Sequence, residues 1–72
     1  MKQADCETIL AFAKNNMKVC ATANELRITH NGLSYRLDAI YRDTRLNPRN
    51  FRDLVKLVDI VERGDGYSWE ER

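Results

Sequence analysis

Apolar residues recur along this chain at spacings of three and four and nowhere alternate over the length of a strand, so the pattern is helical throughout. Residues 5–15 place Ile9, Leu10, Phe12 and Ala13 on one broad face, which predicts a first helix ending near Asn15-Asn16. Residues 19–26, VCATANEL, predict a short second helix with Val19, Ala23 and Leu26 inward, and the small Ala23 lets another helix come close. Thr29 has the chemistry of an N-cap. A third helix is expected from His30 to about Thr44, burying Leu33, Leu37, Ile40 and Tyr41. In RLNPRN, Pro48 stops that helix, and Asn47 or Asn50 can cap the next. The fourth helix, 50–62, carries Phe51, Leu54, Val55, Leu57, Val58 and Val61, a stripe broader than one small core requires. Gly64 and Gly66 end it. The expected organisation is an all-α, four-helix domain over residues 1–62 and a flexible acidic tail over 63–72.

Composition narrows the classes. A chain of 72 residues makes one small domain, and such a chain buries only about 60% of the surface it exposes when unfolded. The two cysteines, Cys6 and Cys20, form no CxxC pair, and the single His30 completes no ligand set, so zinc is not expected. Two ordinary reduced thiols fit a cytoplasmic protein. No apolar run approaches the ~20 residues of a membrane span, and MKQADCETI has no signal-peptide core. One histidine provides no nucleophile, base and orienting group together, so neither catalysis nor a cofactor is expected.

Only Arg27-Ile28-Thr29 separates the second and third helices. A small Ala23, an apolar Ile28 in the turn and an apolar Leu33 beyond it form the packing pattern of a helix-turn-helix. With Leu33 taken as inward and 100° per residue, Asn31, Tyr35, Asp38 and Arg42 fall opposite, Gly32 and Ser34 lie at the edges, and His30 is at the N-terminal tip. That tip is the part of a recognition helix that meets base edges. His30, Asn31, Gly32, Ser34 and Tyr35 are therefore the candidate base-reading residues: Asn can pair with adenine, Ser and His can donate or accept, and Gly32 permits close approach. Tyr35 also suits a phosphate oxygen. Lys18, Thr22, Arg36 and Arg42 are the candidate phosphate contacts, the first two because a helix start favours an anion. For Arg36 an intramolecular carboxylate is an equal alternative. Charge agrees in distribution. Residues 27–56 hold seven cations against three carboxylates, +4, whereas residues 57–72 are −3 and the whole chain is +1.

The string ETILAFAKNNMKVCATANEL, followed by Asn31, Leu33, Ser34, Tyr35, Arg36, Leu37 and Ile40, resembles the C-terminal helix-turn-helix domain of the PucR/CdaR group of bacterial transcription regulators, itself similar to the DNA-binding end of Fis. The resemblance covers residues 7–61. It is most specific at Val19, Ala21, Thr22 and Ala23 and at Asn31 through Ile40. It implies a Fis-like fold, a third helix that reads double-stranded DNA, and a larger sensory region usually preceding the domain. This chain departs from the family's usual His-Arg-Asn-Thr with Thr29-His30-Asn31-Gly32, has Ser34 where a basic residue is common, and has Lys18 and Cys20 for the usual Asn and Ser. Met1 and the unrelated tail favour a free-standing protein over a fragment. The expected function is sequence-specific DNA binding in transcription regulation, by a homodimer joined through the broad stripe of 50–62, with no small-molecule effector evident. The weak net charge and the changes at His30 and Gly32 support the alternative, a helical protein-interaction module that keeps the fold without binding DNA.

Overall fold

The computed structural model describes residues 2–63; residue 1 and residues 64–72, most of the expected acidic tail, lie outside the described residues. Four helices follow one another: α1 (Gln3–Lys14), α2 (Val19–Leu26), α3 (His30–Thr44) and α4 (Phe51–Arg63). No strand occurs among the described residues. The fold is all-α, as the spacing predicts.

Each of the three connections passes through a residue of positive φ, and none of them has a glycine there. Asn16 (57°), Arg27 (59°) and Arg45 (65°) all adopt the left-handed conformation, and Met17 (65°) follows Asn16 into it. After α2 the Arg27 N–H donates to the Asn24 carbonyl at 3.2 Å and the Ile28 N–H to the Ala23 carbonyl at 3.0 Å. This pair closes the last turn and brings Ile28 back over Ala23. Thr29 then opens α3, its Oγ1 accepting the Gly32 N–H at 2.9 Å. The turn between α2 and α3 is thus specified by local hydrogen bonds, which the sequence pattern had placed at the same residues.

Helix α1 is the centre of the domain: it meets α2, α3 and α4, whereas α4 approaches only α1. Ile9, Phe12, Ala23, Leu33, Leu37, Ile40, Leu54 and Leu57 form the buried core. Because three helices surround α1, its buried arc is wide and includes Cys6, Thr8 and Ala11. Leu10, expected inside, is 39% exposed on the remaining open side. Tyr41 is likewise out, at 49% exposure, because the inner line of α3 closes with Ile40. On α4, Leu54 and Leu57 are buried and Phe51 and Val55 are exposed, at 68% and 51%. The excess width read in that stripe is real.

Candidate nucleic-acid interface

Leu33, Leu37 and Ile40 are fully buried and hold α3 by one side. The opposite side carries exposed His30, Asn31, Tyr35, Asp38 and Arg42, with Tyr35 67% exposed. Gly32 and Ser34 are half-buried at the edges. The structure therefore brings the five candidate base-reading residues together on the first turn and a half of one helix. Near its end, Tyr41, Arg42 and Arg45 line a shallow hollow.

The candidate phosphate residues divide. Lys18 is exposed and sits just before α2, where the first amides of the helix, at Val19, Cys20 and Ala21, have no intrahelical acceptor. Arg42 is exposed on the outer face of α3. Thr22 must be taken off this surface: it is fully buried, and its Oγ1 donates to the Lys18 carbonyl at 2.7 Å. A threonine four residues along from a carbonyl satisfies its hydroxyl within its own helix, which lets it sit in the core beside Ala23. Arg36 is half-buried and turns inward, its Nη1 donating to Thr8 Oγ1 at 3.3 Å, while that hydroxyl donates to the Ala4 carbonyl at 2.8 Å. The partner is a hydroxyl and not the carboxylate considered from sequence. Arg36 is first a tie between α3 and α1.

Sequence reasoning passed over Arg49. It lies in the connection before α4, yet its Nη1 reaches back to Asp38 Oδ1 on the outer face of α3 at 2.8 Å. Eleven positions separate the two residues, and only the path of the connection shows that they meet. Cys20 is exposed at the start of α2, while Cys6 is buried. Burial pushes the Cys6 thiol above its ordinary range. No helix among the described residues is long and apolar enough to cross a membrane.

A helix held on its inner side by α1 and α2, preceded by a three-residue turn and bearing polar groups outward, defines the class: a helix-turn-helix, the fold that lays its second helix in the major groove of DNA. Over residues 6–58 the chain matches the PucR C-terminal helix-turn-helix domain, and it belongs to that family. No curated protein and no solved structure gives a match. Membership brings a DNA-binding, regulatory class of function, in a domain family that is typically non-enzymatic.

Proposed function

We propose that this domain binds double-stranded DNA sequence-specifically, as part of a bacterial, cytoplasmic transcription regulator, by laying α3 in the major groove. The observation that carries this is the outer face of α3, where Asn31 and Tyr35 stand exposed on a helix fixed from behind by Leu33 and Leu37. Asn31 is suited to a bidentate pair with adenine, and His30, Ser34 and Tyr35 offer donors and acceptors beside it. Gly32 lies between them at the helix edge. Lys18 with the free amides of α2, and Arg42 on α3, supply phosphate contacts that set orientation without reading sequence.

The working species in this reading is a homodimer joined along α4. Support comes from the exposed Phe51 and Val55, which with Ala13, Met17 and Val58 line an apolar groove between α1 and α4. Arg52 and Asp59 flank that stripe on the same side of α4. An antiparallel self-pairing about a two-fold axis sets Arg52 of each copy toward Asp59 of the other. A two-fold pair places two recognition helices about 34–36 Å apart, one turn of duplex.

The test is selection from a random duplex library, followed by binding of the enriched duplex across a range of salt. Enrichment of a defined motif and a steep loss of affinity with salt are expected, because neutralised phosphates release counterions. The same groove also fits a partner helix. Failure to enrich any sequence, with binding to duplex absent at low salt, would leave the protein-interaction module as the reading.

A further inference from the structure

Asp38 is out of place on a surface meant for a polyanion. It stands on the outer face of α3 between Tyr35 and Arg42 and is more than half exposed. Its only partner in the described residues is Arg49, and the connection that delivers Arg49 is built tightly. Pro48 is fully buried. The Arg49 N–H donates to Asn47 Oδ1 at 3.0 Å, and the Asn47 N–H donates to Asp53 Oδ2 at 3.0 Å. The Asn50 N–H donates to the Asn47 carbonyl at 2.9 Å, and Asn50 Oδ1 caps α4 by accepting the Asp53 N–H at 3.2 Å. A backbone pinned at four consecutive residues gives the Arg49 side chain a fixed origin. An exposed ion pair of this kind adds little to stability, so stability does not account for the arrangement.

We infer that Arg49 is a phosphate-contacting residue and that Asp38 positions it. One amine of the guanidinium is held on Asp38 Oδ1, and the remaining N–H groups of the planar fork are presented beside α3, where a backbone phosphate flanks the groove. Arg49 in turn cancels the carboxylate that would otherwise repel the duplex. This assignment rests on the DNA-binding reading. It adds the α3–α4 connection, beside α3 and the start of α2, as a third element that touches nucleic acid, away from the helix tip that reads bases.

The experiment uses the full chain, a selected duplex and an unrelated duplex of equal length, with affinity measured at several salt concentrations. Arg49→Ala is expected to weaken both duplexes several-fold and alike, and to reduce the salt slope by about one. Asp38→Ala gives the distinguishing sign. In the wild-type background it should weaken binding, because Arg49 loses its anchor, although the change removes a negative charge. In the Arg49→Ala background it should strengthen binding, because only the repulsive carboxylate is then lost. Both residues are exposed, so helicity and the melting transition should stay unchanged in every variant and serve as the control. If Asp38→Ala strengthens binding in both backgrounds, or Arg49→Ala leaves the salt slope intact, the assignment is overturned while DNA binding stands. If the wild-type chain binds neither duplex, both fall together.

Discussion

Gly32 shows what one residue can conceal. A glycine near the start of a recognition helix suggests room for a base edge, at a cost of about 0.8–1.0 kcal/mol in helix propensity relative to alanine. A Cβ built at this position, however, lies 3.2 Å from Thr29 Oγ1 and 3.7 Å from Ile28 Cβ. It meets the domain's own cap and turn before any nucleic acid. Thr29 is exposed, so its side chain can give by the few tenths of an ångström required. Gly32→Ala is therefore expected to stabilise the domain, by about 0.5 kcal/mol rather than the full propensity difference, with DNA affinity nearly unchanged. Urea melts and binding measured together check this, and a net destabilisation would mean that the cap bond is lost. Asn31 is the contrasting case. It is exposed and makes no contribution to the core, so Asn31→Ala should leave the melt in place and cost roughly 1–3 kcal/mol at one base position of the selected duplex. Equal binding by this variant would remove Asn31 from the reading surface.

At the scale of elements, the helices are held by their ends as much as by their faces. Arg45 closes α3 in the left-handed conformation, its N–H donating to the Tyr41 carbonyl at 2.8 Å. A side chain in that conformation is strained by about 1–2 kcal/mol, and glycine avoids the strain while losing about 0.5–1 kcal/mol to chain entropy. Arg45→Gly is accordingly expected to raise stability by up to about 1 kcal/mol, read as a shift of the denaturation midpoint with unchanged slope. The start of α2 offers a different readout. Cys20 is exposed, whereas Cys6 is buried and burial pushes its thiol up, so a thiol reagent should label Cys20 rapidly and Cys6 only on unfolding. If the amides beside Cys20 sit against a phosphate, the selected duplex should slow that labelling. A labelling rate indifferent to bound DNA would place the duplex elsewhere.

For the whole molecule the open question is what covers α4. Phe51 and Val55 are exposed apolar residues on a helix that leans only on α1, and exposed apolar surface of this kind is where the proposed dimer would close. Sedimentation at micromolar concentration should show a dimer, and Val55→Glu should yield a folded monomer. Val55 is the better position for the test than Val58, which is half-buried and packed against the core, so that a charge there would also disturb folding. A wild-type chain that sediments as a monomer at every concentration, with and without duplex, would end the homodimer. A dimer would raise affinity, because one module offers few phosphate contacts and two offer twice the counterion release.

What the sequence determined by itself is local. The bounds of α2 and α3, the cap at Thr29 and the inner line of Leu33, Leu37 and Ile40 all follow from periodicity and capping chemistry within a few residues of chain. The exposed face of α3 follows too, since a helix fixed on one side must show the other. The tertiary structure decided the rest. Leu10 is out and Thr8 is in because three helices, not one, surround α1. Thr22, polar and at a helix start, reads as an anion ligand until its hydroxyl is seen to close on the Lys18 carbonyl inside the core. Arg36 and Arg49 look alike in a count of charges. Their roles divide because packing sends one inward to Thr8 and carries the other, on a pinned connection, to Asp38. Side-chain pairing across the chain depends on where distant backbone segments come to rest, and no periodicity encodes that.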